Sequence, residues 1–374
     1  MPERNLDSKA RAMRPLLDVA RTELSAWLRS LGQPAMRARQ LRRWIMVGRL
    51  ESFERMTDLP LSLRQALTEA FTPLGTRVAR HLQAGDGTHK LLLCLPDNQL
   101  IECVLLQEDG RARKGDGTFD FRGPVPFSGR HTACISTQVG CGMGCVFCAS
   151  GLNGVARNLT AGEILEQLVR LRNLLPADQR LTHIVVMGMG EPLANLDALI
   201  EALDIAGAKD GLGIGARHVT ISTVGLPLKI RRLADLGKQY HLAVSLHAPD
   251  DELRTRIVPT NDKTGLAAIL EAADYFFERT GRQVTYEYVL LRGINDSAEN
   301  AGQLARLLRG RRTHVNLIPF NDVAGLPYRR PTDDALAAFV NRLRRDGISV
   351  KVRKRKGSEI DAACGQLRRS VQPV

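Results

Sequence analysis

Three cysteines, Cys141, Cys145 and Cys148, lie in the run Val139-Gly-Cys-Gly-Met-Gly-Cys-Val-Phe-Cys-Ala-Ser-Gly151 with the spacing C-x3-C-x2-C. Three thiolates on one short loop can hold three corners of a [4Fe–4S] cluster and leave the fourth iron open to a small-molecule ligand. A structural zinc site normally takes four protein ligands, commonly as two close pairs, and no fourth Cys or His stands beside these three. Core thiols are the plainer alternative, since unbridged cysteine packs as a small hydrophobe. Gly140, Gly142, Gly144 and Gly151 argue for the cluster, because glycine reaches backbone angles that let a loop wrap a bulky group.

Such a loop needs a frame. The runs 132–137, 183–187, 218–222, 242–246, 284–291 and 315–318 read as strands, with helical patterns such as 161–174 and 196–206 between them. Alternation of this kind predicts parallel βα units and the α/β class. Six units make an incomplete (βα)6 barrel open on one side; a doubly wound sheet is the competing arrangement. In either, ligands gather at the C-terminal ends of the strands, and the cysteine loop follows the first strand. Other strand ends repeat the theme: Gly188-Met-Gly-Glu-Pro192, Ser222-Thr-Val-Gly225, Ser245-Leu-His-Ala-Pro249 and Pro319-Phe-Asn321. Each alone reads as a capped turn; four around one cysteine loop read as a site.

Four segments follow from this pattern: 1–75, a helical accessory domain; 76–130, a β-hairpin and loop insertion; 131–347, the partial barrel; and 348–374, a last strand and a cysteine-bearing tail. In 35–47, Leu41, Trp44 and Ile45 fall on one helical face and Arg39, Arg42 and Arg43 on the other, either a solvated face or a phosphate-contacting one. Runs 89–95 and 100–106 flank Pro96-Asp-Asn98 as a hairpin. Segment 108–130 is polar and glycine-rich and reads as a long loop.

The 374 residues are 44% hydrophobic and carry a net charge of +13, which favours a polyanionic partner, nucleic acid before an anionic membrane surface. No apolar stretch is long enough to span a bilayer and the first residues lack a signal-peptide pattern. Seven cysteines, three in a metal-like motif, do not form a secreted disulfide framework, so a reducing cytoplasm is the expected location.

The cysteine loop, the strand-end motifs, Val315-Asn-Leu-Ile-Pro-Phe-Asn321 and Asp361-Ala-Ala-Cys-Gly-Gln366 together resemble the RlmN/Cfr family of radical S-adenosylmethionine (SAM) RNA methyltransferases, over nearly the whole chain. The resemblance implies a [4Fe–4S] cluster on Cys141, Cys145 and Cys148 and two SAM molecules per turnover. Gly190, Glu191, Ser222, Ser245, Leu246, His247 and Asn321 would line the SAM site. Cys364 would carry a methyl group as S-methylcysteine and join the substrate adenine through it. Glu102 would remove the ring proton, and Cys134 would release the product by forming a transient disulfide with Cys364. Cys94 and Cys103 are left as core thiols, and core burial is also the alternative reading of Cys134. The implied substrates are 23S rRNA and tRNA, methylated at adenine C2. The electron donor would be a flavodoxin or ferredoxin system. The competing readings are C8 methylation of the Cfr type and an iron–sulfur RNA-binding sensor without turnover. Lys351, Arg353, Lys354, Arg355 and Lys356 precede the Cys364 segment as candidate phosphate contacts.

Overall fold

The structure, a computed structural model, describes residues 13–108, 129–323 and 325–353. Most of the expected 108–130 insertion, Lys354, Arg355, Lys356 and Cys364 lie outside the described residues.

The amino-terminal part packs three helices, α1 (Arg21–Ser30), α2 (Met36–Met46) and α3 (Leu61–Ala70). Each buries one stripe: Leu24 and Leu28, then Ala38, Leu41 and Ile45, then Leu63 and Leu67. These spacings of three and four residues put apolar side chains on one face. Arg14–Pro15 pairs in parallel with Phe71–Thr72, so the chain enters and leaves this unit side by side.

Strands β1 (Arg77–Gln83), β2 (His89–Cys94), β3 (Leu100–Glu108) and β4 (Arg130–Cys134) follow, each antiparallel to the one before. The expected hairpin turns at 96–98, where Asn98 adopts a left-handed φ of 63° that asparagine tolerates. Strand β1 is exposed along nearly its whole length, so no alternation marks it in the sequence. A small hairpin, β5 (Gln138–Gly140) with β6 (Val155–Asn158), brackets the cysteine loop.

The βα units come next. They are α4 (Ala161–Asn173), β7 (His183–Val186), α5 (Leu196–Gly207), β8 (Val219–Thr223), α6 (Pro227–Asp235), β9 (His241–Ser245), α7 (Asp251–Ile257), α8 (Leu266–Thr280), β10 (Val284–Leu290), α9 (Ala298–Leu308), β11 (Thr313–Pro319), α10 (Asp333–Arg345) and β12 (Val350–Val352). Thr160 starts α4 with a reciprocal capping box to Glu163, and Asp250 caps α7 by accepting from Leu253 N.

One sheet runs β12-β11-β10-β9-β8-β7-β4-β3-β2-β1, parallel from β4 to β12. A doubly wound sheet reverses strand order at a switch point. Here the parallel strands follow chain order without reversal, so right-handed crossovers place the helices on one face and curl the sheet into a partial barrel. The expected α/β incomplete barrel is therefore the architecture. Its outer face is apolar: Ile184, Val186, Ile221, Leu242, Val244, Tyr286, Tyr288, Val315 and Leu317 belong to the main core. Alternation turns Cys134, Ser222, Ser245, Glu287 and Asn316 to the inner face. No helix among the described residues is long and apolar enough to cross a membrane.

Candidate active site

The cysteine loop is held by backbone geometry. Gly140 has a φ of 86°, and a side chain there would collide with the Gly154 carbonyl, which accepts from Cys141 N at 2.9 Å. Cys148 N donates to Cys145 O at 3.1 Å, and Val146 N donates to Ile257 O at 3.1 Å, docking the loop on the end of α7. Phe147 and Ala149 pack with Val224, Leu253, Ile257 and Phe320 in a second apolar cluster over the strand ends.

Burial pushes the Cys141 thiol up to about 11, with the charges of Cys148 and Glu191 adding to the rise. Burial pushes Cys145 higher still, and Cys148 and Cys141 add to that. Among the described residues no three His, Cys, Asp or Glu side chains gather as ligands of one ion. Three thiols on one loop, each feeling the charge of another, suit a cluster in which each thiolate bonds a different iron.

The strand-end motifs are tied to one another. Gly190 has a φ of 105°, and a Cβ there would lie 2.7 Å from Gln138 Cβ. Gln138 Oε1 accepts from Glu191 N at 2.8 Å. Glu191 is 3% exposed; its carboxylate accepts from Leu193 N at 3.0 Å and Val224 N at 2.8 Å. Burial raises its pKa, partly offset by these bonds and by Thr223. Glu191 thus clamps the end of β7 to the end of β8. Ser222 and Ser245 are half-buried on the inner face, and Leu246 is fully buried.

His247 adopts a left-handed φ of 63°. Its Nδ1 accepts from Val289 N at 3.2 Å, which leaves the proton on Nε2. Burial first, then the Arg254 charge, pull the imidazole down to about 3, so it is neutral. Asn295 holds this turn, donating to His247 O at 2.8 Å and Val289 O at 2.7 Å while accepting from Leu291 N. Asn321, past the end of β11, has a buried Oδ1 with no hydrogen-bond partner among the described residues. A buried acceptor of this kind calls for a donor, and the hydroxyls or amine of SAM would supply one.

On the inner wall Cys134 is 5% exposed and lies in register opposite Val104. Glu102, two residues along β3, shares that face and is 2% exposed. Its Oε2 is 2.9 Å from Lys90 Nζ on β2, and Lys90 is wholly buried. The structure therefore gathers Cys134 and Glu102 on one surface. Cys103 lies on the other face, in the main core, where burial raises its thiol pKa. Cys94 is buried at the hairpin end.

Three residues escape sequence reasoning. Lys90 interrupts an apolar run, and that charge ahead of Leu91, Leu92 and Leu93 was the available signal. Arg254 and Asn295 carry none, because most of the groups they bond are backbone carbonyls.

The arginines of α2 divide. Arg39 and Arg43 are exposed and line a recess with Trp44, Arg21 and Lys209. Arg42 instead turns inward and donates to Val19 O at 2.8 Å; burial lowers its pKa. Lys351 and Arg353 are exposed.

Residues 135–305 match the model of the radical SAM superfamily, and residues 15–72 match the ribosomal RNA large subunit methyltransferase N-terminal domain. The fold and the cysteine loop thus define a radical SAM enzyme. A solved radical SAM methyltransferase from Sphaerobacter thermophilus superposes with a TM-score of 0.85 at 41% identity, covering 94% of this chain and 98% of that one. A protein of Rhodopirellula baltica named "Probable dual-specificity RNA methyltransferase RlmN" is 54% identical over 95% of this chain and 91% of its own length. One of the same name from Symbiobacterium thermophilum is 43% identical over 96% of this chain and 92% of its own length. The chain belongs to the RlmN family of radical SAM RNA methyltransferases, whose cofactors are a [4Fe–4S] cluster and SAM.

Proposed function

We propose that this enzyme methylates C2 of adenosine in 23S rRNA and in tRNA. The observation that carries the reading is the shared inner face of Cys134 and Glu102, a buried thiol beside a buried carboxylate. Two-step cysteine chemistry requires both, and an RNA-binding sensor requires neither. The dual-specificity name of the relatives supports RNA of two kinds as substrate.

Cys141, Cys145 and Cys148 hold the cluster, and Gly190, Glu191, Ser222, Ser245, Leu246, His247 and Asn321 line the SAM site. When bound, the pair supplies the radical that abstracts hydrogen. Glu191 and His247 orient the strand ends, and the apolar layer around Phe147 excludes water. Cys364, outside the described residues, carries the methyl carbon that becomes bonded to adenine C2. Glu102 takes the ring proton, and the adduct gives up its unpaired electron to a one-electron acceptor, a role the oxidised cluster would fill. Cys134 then attacks the Cys364 sulfur: a disulfide forms, the sulfur–carbon bond breaks, and the released carbon picks up a proton. A thiol reductant restores both cysteines with two electrons. Arg39, Arg43, Lys351 and Arg353 offer phosphate contacts. The reaction would run in the cytoplasm, fed by a flavodoxin or ferredoxin system.

The test is nucleoside mass spectrometry after anaerobic reaction with rRNA and tRNA from cells lacking such an enzyme. 2-Methyladenosine from both RNAs is expected. 8-Methyladenosine would move the activity to the Cfr type, and SAM cleavage without a methylated adenosine would overturn the substrate assignment. Cys134→Ala should accumulate a covalent protein–RNA adduct.

A further inference from the structure

We infer that Arg254 is the buried countercharge of the iron–sulfur cluster and sets how readily that cluster accepts an electron. This rests on the reading that Cys141, Cys145 and Cys148 are its ligands. Arg254 is 1% exposed. Its guanidinium donates to Leu246 O at 3.0 Å, Asn261 Oδ1 at 2.6 Å, Val224 O at 2.6 Å and Ser245 O at 3.1 Å. All four acceptors are uncharged, and among the described residues no salt bridge reaches it. Burial lowers its pKa to about 10, so it remains a cation at neutral pH.

A buried ion without an opposite charge is destabilising. Asp251 is felt electrostatically, but its carboxylate is engaged by Asn261 Nδ2 at 2.9 Å and Leu266 N at 2.7 Å. The stronger candidate for an anion is above it. Ile257, one turn along α7 from Arg254 and on the same side, holds Val146 of the cysteine loop through its carbonyl. Val224, whose carbonyl Arg254 bonds at 2.6 Å, packs with Phe147 of the same loop. Three thiolates around a doubly positive [4Fe–4S] core make a monoanion, and one-electron reduction makes it a dianion. A fixed cation beside the loop's docking site favours the dianion more, and so raises the reduction potential.

The test is an EPR-monitored redox titration of the full-length, reconstituted enzyme with a dithionite-class one-electron donor. Arg254→Met should shift the midpoint to more negative potential, and Arg254→Lys, which keeps the charge, should stay near the parent. An Arg254→Met protein with parental iron content and an unshifted midpoint would overturn the inference. Where that variant yields no folded protein, Arg254→Gln, which keeps an amide donor for the strand-end carbonyls without the charge, decides: its midpoint should fall as well, and an unchanged one refutes the role. Iron and sulfide content of Cys145→Ala reports on the ligand assignment separately.

Discussion

Replacing Lys90 by methionine strips the Glu102 carboxylate of a cation 2.9 Å away, in a pair whose side chains are 0% and 2% exposed. At an effective dielectric constant near 20 the attraction at this separation is about 6 kcal/mol. Much of it offsets the cost of taking two ions out of water. Removing one partner leaves that cost standing for the other, about 3–5 kcal/mol. Lys90→Met and Glu102→Leu should each lose that much stability. The double variant, an apolar pair of similar volume between Leu92 and Val104, should return close to the parent. Urea denaturation followed by circular dichroism measures all four corners of the cycle. A Lys90→Met protein within about 1 kcal/mol of the parent, or a double variant as unstable as the sum of the singles, would refute the reasoning. The double variant should also be folded yet fail to methylate RNA, because its stability is restored while Glu102, the proposed base, is gone.

His247 gives a pH signature. Its folded pKa is about 3 against an ordinary 6.5, so between these values the unfolded chain binds a proton that the folded chain refuses. The stability His247 contributes is complete above about 6.5 and drains as pH falls toward 3, by a few kcal/mol. His247→Asn, which tolerates the left-handed turn, should flatten that slope in urea midpoints taken at pH 7 and pH 4.5. Gly140→Ala should break the Cys141–Gly154 bond and lower iron bound per chain after anaerobic reconstitution, with secondary structure unchanged by circular dichroism. Arg39→Glu with Arg43→Glu should weaken RNA binding and flatten its salt dependence by roughly 0.7–0.9 log unit per lost phosphate contact. Arg42→Ala should instead lower stability by about 1–3 kcal/mol with little change in that slope, because its bond is to Val19 O.

Local signals were enough for much of this molecule. The C-x3-C-x2-C spacing, the apolar runs and the glycine turns are short-range patterns, and they mark the cysteine loop, the parallel strands and the strand-end motifs directly. They mark less where the backbone bends: β4 ends at Cys134, short of the expected residue 137, because Ser136 Oγ donates to Glu102 O and receives Met189 N. Strand β1 was invisible for a different reason: it is exposed on both faces and shows no period.

Tertiary structure decided what periodicity cannot express. Whether six βα units curl or wind both ways depends on strand order, a long-range property. Whether Arg42 meets phosphate or a carbonyl depends on the segment packed beside α2. Arg254 and Asn295 became visible only when distant strand ends converged on them, since a side chain that bonds backbone carbonyls leaves no mark on the sequence of its partners. Cys134 and Glu102 share a face because strand register, set by pairing across the sheet, aligns residues that lie far apart in the chain.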